Sequence, residues 1–219
     1  MTMTYAAPTS LDAAMALLSE GPAHILAGGT DLLVRLRSDM IAPETVLDIK
    51  RIPGMREITQ EDGGFRIGAG VSGAEMGEHA ALCAAWPGVV EAAGLIGSTQ
   101  IQGRATMAGN LCNASPAADS VPAMVAAGAI IRIAGQNGTR DVPVEEVPTG
   151  PGKTALEKGE LVASIFLPAR GEHSGDAYLR FIPRTEMDIA VVGVGVTLTL
   201  DAGGTCTAAR VGLGAVAPT

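Results

Sequence analysis

The spacing of apolar residues predicts a small α/β unit at the start of the chain. Apolar side chains at positions 11, 14, 15 and 18 repeat with the helical period, between a capping Thr9 or Ser10 and a terminating Gly21. Strands are predicted at residues 24–27 and 46–49, and an amphipathic helix that begins at Leu32 separates them. This strand–helix–strand order predicts a parallel sheet.

The middle of the chain combines short strands with helices. Two strands are predicted on either side of the turn residues 61–64, followed by helices at residues 74–85 and 88–95. A polar loop is expected at residues 97–107. Ser115 and Pro116 have the residue types of a helix cap and first helical residue, which predicts a helix from there to about residue 127.

The last third of the chain is predicted to be mostly strands. Strands at residues 130–133 and 161–167 lie on either side of a hairpin turn at residues 136–138. Further strands are predicted near residues 178–181, 191–200 and 206–213, with a turn at residues 202–204.

Composition excludes several classes of protein. The 219 residues are 47% hydrophobic and 17% charged, which suits a folded core and excludes a disordered chain. The net charge of −8 argues against nucleic-acid binding. No apolar run is long enough for a transmembrane segment, and the first residues do not resemble a signal peptide. Three isolated cysteines favour reduced thiols, a cytoplasmic location and no metal site in this chain.

Two glycine motifs only partly match known nucleotide sites. Residues 68–73 spell the dinucleotide fingerprint GxGxxG, with Glu91 at a suitable distance, but residues 87–95 are predicted to be helical where a second parallel strand is needed. A tight turn is therefore favoured over a nicotinamide site. Residues 150–154 end like a P-loop, yet Val147 occupies the required glycine position and Pro151 lacks an N–H.

Two other loops have the chemistry of a ligand site. In the loop at residues 27–31, Gly28 and Gly29 allow the backbone to approach a ligand closely, Thr30 offers a hydroxyl, and the following helix start favours an anion. Residues 106–119 combine small residues with polar residues before a predicted helix, which suits a flat ligand with polar edges. A plain capping loop, with Asp119 favoured by the helix N-terminus, is the alternative.

The chain resembles the FAD-binding subunits of molybdenum hydroxylases, of the xanthine dehydrogenase and carbon monoxide dehydrogenase type. The order and spacing of four segments carry the resemblance: residues 27–31, residues 100–119, residues 150–154 with 159–162, and residues 180–184 with 188–190. The resemblance implies an α+β, two-subdomain FAD-binding fold of the vanillyl-alcohol-oxidase type, at residues 1–55 and 56–172. Residues 173–219 would begin a C-terminal α+β domain that, beside its relatives, looks truncated.

The resemblance also implies the residues that bind FAD. The diphosphate cradle would be formed by Ile25, Leu26, Ala27, Gly28, Gly29, Thr30, Asp31 and Leu32. The flavin and its ribityl chain would be lined by Thr106, Gly109, Asn110 and Asp119, with Val162 as an apolar contact. Arg180 would lie near the ring, where a cation raises the reduction potential of a flavin that is anionic when reduced. Ala108 departs from the family, because many relatives have glycine there, and Gln102 and Gly103 replace a common Arg–Asn pair.

The implied function is electron transfer without a catalytic residue in this chain. A large subunit would hold molybdopterin and a small subunit would hold the [2Fe–2S] clusters, and FAD in this chain would pass electrons to an acceptor such as NAD or a quinone. Two alternatives remain: an assembly module of the same complex that has lost FAD, and a stand-alone nicotinamide-binding oxidoreductase.

Overall fold

The computed structural model describes residues 3–185 and 187–219, which form an α+β fold built on three main sheets. The first sheet contains strands β1 (Thr4–Ala6), β2 (Ala23–Leu26) and β3 (Thr45–Asp48). Strand β3 lies in the centre and pairs in parallel with both neighbours, which confirms the predicted parallel unit. The strand β1 was not predicted, because three residues carry too little pattern.

Two helices accompany the first sheet. Helix α1 (Leu11–Glu20) begins after Ser10, whose hydroxyl oxygen accepts the N–H of Ala13 at 3.2 Å, and ends before Gly21, as predicted. Helix α2 (Leu32–Arg37) follows β2 and buries none of its side chains. It therefore joins the two strands without contributing to the core.

The second sheet is antiparallel and contains five strands in the order β4-β5-β10-β6-β7. Its strands are β4 (Ile58–Glu61), β5 (Gly64–Gly68), β6 (Ile130–Gly135), β7 (Gly138–Pro143) and β10 (Leu161–Leu167). A separate hairpin is formed by β8 (Pro148–Gly150) and β9 (Lys153–Thr154). The predicted turn near residue 137 is confirmed, and it connects β6 to β7, a strand that the pattern did not indicate.

The prediction of one continuous helix at residues 74–85 is wrong, because the structure has a break within this segment. It forms two helices, α3 (Gly73–Glu78) and α4 (Ala80–Ala85). His79 interrupts them with a ψ of 90°, and its Nδ1 accepts the N–H of Leu82 at 3.1 Å. A histidine in this position therefore caps the second helix and does not continue the first.

Helix α5 (Pro87–Gly94) matches its prediction, but the next two segments do not. The expected loop at residues 97–107 contains the short helix α6 (Thr99–Gln102), and helix α7 (Met107–Cys112) begins at its last residue. The helix expected from Ser115 begins only at residue 120, as α8 (Ser120–Ala127).

Tertiary contacts explain the late start of α8. In a continuous helix the carbonyl of Pro116 would accept the N–H of Ser120. Instead, the Pro116 carbonyl accepts the N–H of Ala215 at 2.7 Å, and the Ser120 N–H donates to Oδ1 of Asn110 at 3.2 Å. Ser115 and Pro116 therefore belong to a turn.

The third sheet is antiparallel and packs against α8. It contains β11 (Ser174–Phe181), β12 (Val192–Leu200) and β13 (Cys206–Gly214), in agreement with the predicted strands. A Cβ at Gly195 or Gly212 would lie 2.4 or 2.3 Å from the Pro122 carbonyl oxygen, so these glycines let the sheet approach the helix closely. Within the two described ranges, no helix is long and apolar enough to cross a membrane.

Candidate functional site

A cavity of about 190 Å³ lies where the loop after β2 meets the loop before α7. Strand β10 and the segment around Leu156 contribute further wall residues. The lining consists of His24, Ile25, Ala27, Gly28, Gly29, Thr30, Asp31, Leu32, Arg35, Ile49, Ala69, Ile96, Ala105, Thr106, Ala108, Gly109, Asn110, Cys112, Asn113, Leu156 and Val162.

Gly28 and Gly29 are required for different reasons. A Cβ at Gly28 would lie 2.0 Å from the carbonyl oxygen of Arg104, so only glycine lets the two loops touch. Gly29 has a φ of +82°, a left-handed conformation that other residues adopt at a cost. The pair therefore fixes both the distance between the loops and the direction of the chain as it enters α2.

The glycine loop also leaves its backbone donors free. Among the described residues, no backbone or side-chain acceptor receives an N–H from residues 28–32. The first helical bonds of the following segment begin at Leu33, whose N–H donates to the Gly29 carbonyl at 3.0 Å. Successive unpaired N–H groups next to a cavity form an arrangement that binds phosphate or another anion.

Lys50 contacts the start of the glycine loop, at Ala27. Its ammonium donates to the carbonyl of Ala27 at 2.8 Å and pairs with the Asp48 carboxylate at 2.8 Å. Because a trans peptide directs C=O and N–H to opposite sides, the Gly28 N–H points away from Lys50. Burial opposes ionisation of Asp48, but hydrogen bonds from Lys50 and Tyr5 outweigh it and lower the pKa of Asp48.

The second loop supplies a helix start and an oriented amide. The Thr106 hydroxyl oxygen accepts the N–H of Gly109 at 2.9 Å and so caps α7. Thr106 also forms an isolated antiparallel bridge with Ser72, and the N–H of Ala108 has no acceptor in the part of the chain that the structure describes. Asn110, one turn further on, accepts two hydrogen bonds from Ser120 through Oδ1. The loop therefore brings a capped helix start and a fixed amide to the cavity wall.

The rest of the wall is mainly apolar, with one histidine and one thiol. Ile49, Val162 and neighbouring aliphatic side chains form a surface suited to a flat ring. Burial raises the pKa of Cys112 to about 12, so a neutral thiol lines the cavity. Burial, and then the charge of Arg35, lower the pKa of His24. The His24 Nδ1 is buried and has no hydrogen-bond partner among the described residues.

The GxGxxG segment lacks the free donors of a nucleotide site. Every N–H from residue 68 to residue 73 is paired, and the acceptors are the carbonyls of Glu57, Ala163, Met55, Gly68 and Ala105 and the carboxylate of Glu75. Its strand, β5, pairs only with antiparallel neighbours. A Cβ at Gly68 would lie 2.1 Å from the Gly54 carbonyl oxygen. The segment is therefore a tight turn, as the sequence favoured.

The P-loop-like residues 150–154 lie in the β8–β9 hairpin, and the next element described after it is the strand β10 and not a helix. The N–H of Gly152 donates to the Ala114 carbonyl at 2.9 Å, which ties this hairpin to the end of α7. Across residues 3–185 and 187–219, no group of three His, Cys, Asp or Glu side chains is arranged to hold a metal ion.

Most of the predicted site residues meet in the cavity wall. The exceptions are Leu26, Asp119 and Arg180. Leu26 lies in β2 behind the glycine loop. Asp119 accepts hydrogen bonds from Arg180 at 2.7 Å and from the Tyr178 hydroxyl at 3.0 Å. Burial, and then the charge of Asp119, raise the pKa of Tyr178.

Several wall residues were missed by sequence reasoning. Ile96, Leu156 and Ile49 have no local signal that separates a cavity wall from an ordinary core position. His24 and Arg35 flank the predicted loop, and no local pattern marks either of them as a cavity residue. Lys50 directly follows a predicted strand, and its contact with the loop is only visible once β2 and β3 are paired.

Comparisons with known proteins agree with this geometry. Residues 1–170 match the family model described as the FAD binding domain in molybdopterin dehydrogenase. Residues 177–219 match the model of the CO dehydrogenase flavoprotein C-terminal domain.

Individual relatives extend the likeness over nearly the whole chain. The xanthine dehydrogenase FAD-binding subunit of Escherichia coli O157:H7 is 36% identical over 99% of this chain and 75% of its own length. The carbon monoxide dehydrogenase medium chain of Hydrogenophaga pseudoflava is 34% identical, over 98% of this chain and 75% of its length. A crystal structure of the cyanide-inactivated Cu,Mo-CO dehydrogenase superposes with a TM-score of 0.94 at 32% identity, covering 99% of this chain and 76% of that chain.

Proposed function

The chain belongs to the family of FAD-binding domains of molybdopterin dehydrogenases, and from this premise we propose that it binds FAD in the cavity between its two loops and transfers electrons there. The observation that carries the proposal is the run of unpaired N–H groups at residues 28–32. The N–H groups of the GxGxxG segment, by contrast, are all paired. An anionic diphosphate is the part of FAD that unpaired donors bind.

The remaining wall fits the rest of the cofactor. Aliphatic side chains, among them Ile25, Ile49 and Val162, provide an apolar surface for the flavin ring. Thr106 and Gly109 set the start of α7, and Asn110 offers an amide to the flavin or its ribityl chain. When bound, FAD supplies the exchange between one-electron and two-electron carriers, and the protein residues bind, orient and shield it.

Asp119 and Arg180 have a supporting part in this proposal. They form a buried ion pair outside the cavity lining, with side chains only 12% and 8% exposed. Asp119 directly precedes Ser120, which donates to Asn110. The pair therefore connects the third sheet to the cavity wall, and any effect of the Arg180 charge on the flavin potential is partly cancelled by Asp119.

The proposal extends to the organisation of a complex. Residues 1–55 and 56–172 would act as the two FAD-binding subdomains and residues 173–219 as the start of a C-terminal domain, a division supported by the three separate sheets. Partner subunits would hold the molybdopterin and the [2Fe–2S] clusters, and NAD or a quinone would be the final acceptor. A cytoplasmic location is supported by the three free thiols.

The two alternatives are separated by specific residues. A nicotinamide site at residues 68–73 is disfavoured because its N–H groups are already paired. An assembly module without FAD would have a blocked cavity. The candidate for such a block is the methyl group of Ala108, where many relatives have glycine. Ala108 is 4% exposed and lies within helix α7, so its methyl group is accommodated by the fold.

The test is a titration of the ligand-free chain with FAD and, separately, with NADH, followed by flavin fluorescence and calorimetry. We expect FAD to bind. We expect no binding of NADH, because the N–H groups of residues 68–73 are already paired. Gly29→Ala should weaken FAD binding by at least about tenfold, because the donors of the loop are reoriented. Gly204→Ala is the matched control, because Gly204 has a φ of +83° against +82° for Gly29 but lies in the β12–β13 turn. Equal FAD affinity in the two variants would overturn the proposed site.

A further inference from the structure

Ser120 connects the start of α8 to the cavity wall through Asn110. Its N–H and its hydroxyl both donate to Oδ1 of Asn110, at 3.2 and 2.7 Å. Ser120 is fully buried, whereas Asn110 lines the cavity. The two residues are ten positions apart and belong to different helices, α7 and α8.

The first turn of α8 depends on this contact. Asp119 precedes the helix but makes no capping hydrogen bond, because its carboxylate is engaged by Tyr178 and Arg180. The Pro116 carbonyl is also engaged, by Ala215. Asn110 therefore supplies the acceptor that a helix N-terminus requires.

The same contact determines which way the Asn110 amide faces. A backbone N–H needs an acceptor, so the carboxamide oxygen and not its nitrogen must face Ser120. The Nδ2 group is then left without an acceptor among the described residues, and it is not among their buried unpartnered atoms. The Nδ2 group is therefore not fully buried, and it belongs to a residue of the cavity wall.

We propose that Ser120 is a positioning residue that holds Asn110 with its Nδ2 donors directed to an acceptor atom of the bound flavin nucleotide. The proposal rests on the proposed function, because it needs FAD in this cavity. The acceptor chemistry is an oxygen or ring nitrogen of the flavin moiety or its ribityl chain. Removing the Ser120 hydroxyl leaves a single hydrogen bond to Oδ1 and so permits the amide to rotate.

The first variant is Ser120→Ala, with Ser98→Ala as its matched control. Ser98 is also a buried serine whose hydroxyl donates to a side-chain amide oxygen, that of Gln100 at 2.9 Å, and neither residue lines the cavity. In the full chain, Ser120→Ala should raise the dissociation constant of FAD about fivefold, the scale of one lost neutral hydrogen bond. Ser98→Ala should change it less than about twofold.

A second variant, Asn110→Asp, gives a readout that a structural role alone would not produce. One carboxylate oxygen still accepts from Ser120, but the other replaces the donor with a negative acceptor. FAD affinity should fall at least about tenfold at pH 7.5 and recover as the pH is lowered from about 5 towards 4, because protonation near the ordinary Asp pKa of about 3.9 restores a donor at the free oxygen. The unaltered chain, titrated in parallel, should not show this recovery.

The outcomes separate the two claims. If the unaltered chain binds no FAD, the proposed function fails and the role of Ser120 falls with it. If the unaltered chain binds FAD and Ser120→Ala binds it equally well, with an unchanged flavin absorption spectrum, only the positioning role is overturned. Should Ser120→Ala fail to fold by circular dichroism, the pH profile of Asn110→Asp decides, and a flat profile overturns the proposal.

Discussion

The α-carbon of Gly28 is packed so closely against Arg104 that a Cβ there would lie 2.0 Å from the Arg104 carbonyl oxygen. This contact joins the loop after β2 to the loop before α7, and both loops line the cavity. Backbone atoms cannot yield in the way that a flexible side chain can. The width of the cavity is therefore set by the absence of a single methyl group.

Gly28→Ala should separate the two loops. We expect a loss of stability of about 2 kcal/mol from the overlap, together with loss of FAD uptake. Chemical denaturation and a fluorescence titration measure the two effects. Gly94→Ala is the control, since no atom lies within 4 Å of the position of its Cβ, and it should retain both properties. Normal FAD affinity in Gly28→Ala would show that the loop contact does not shape the site.

Cys112 provides a chemical probe of the cavity. Its thiol, with a pKa of about 12, should react slowly with a disulfide reagent at pH 8, whereas the exposed Cys206 should react at an ordinary rate. Saturating FAD should slow the reaction of Cys112 further, by about tenfold or more, and leave Cys206 unchanged. Peptide mapping after timed labelling gives both rates in one sample. Protection of both cysteines, or of neither, would contradict FAD binding in this cavity.

The Asp119–Arg180 ion pair should contribute to stability because both side chains are nearly buried. Asp119→Ala leaves the Arg180 charge and the Tyr178 hydroxyl without their acceptor, and we expect a loss of about 3 kcal/mol in urea denaturation. Asp119→Asn keeps an acceptor and should lose less. A loss below about 1 kcal/mol in Asp119→Ala would mean that solvent replaces the pair.

His24 should make the stability of the ligand-free chain depend on pH. Because burial and the charge of Arg35 lower its pKa in the folded state, the unfolded chain binds more protons just below the ordinary value of 6.5. This contribution to stability is present above pH 6.5 and is lost as the pH falls through the lower, folded-state value. Denaturation curves between pH 8 and pH 5 should therefore be less pH-dependent for His24→Gln than for the unaltered chain. Equal slopes would show that the histidine is not held neutral.

The features that could be predicted from the sequence are those with local causes. The Ser10 cap of α1 and the glycine loop depend on neighbouring residues, and both are found where the pattern indicated them. The start of α8 was mispredicted because two contacts from distant residues, Ala215 and Asn110, replace the helical bond.

Sequence patterns also did not indicate which residues form ion pairs or hydrogen bonds with the predicted site residues. Arg180 was expected near the flavin as a cation, and its pairing with Asp119, a residue 61 positions away, had no signal in the sequence. Lys50 contacts the glycine loop only because β2 and β3 are neighbours in a parallel sheet. Charge pairing and loop support of this kind are properties of the tertiary structure.

The most direct test of FAD binding is the absorption spectrum of the purified chain after incubation with FAD and removal of the excess, with identification of the flavin released on denaturation. We expect flavin bands at about one FAD per chain in the unaltered protein, and their loss in Gly28→Ala. A colourless protein that is folded by circular dichroism and cannot be reconstituted would contradict it.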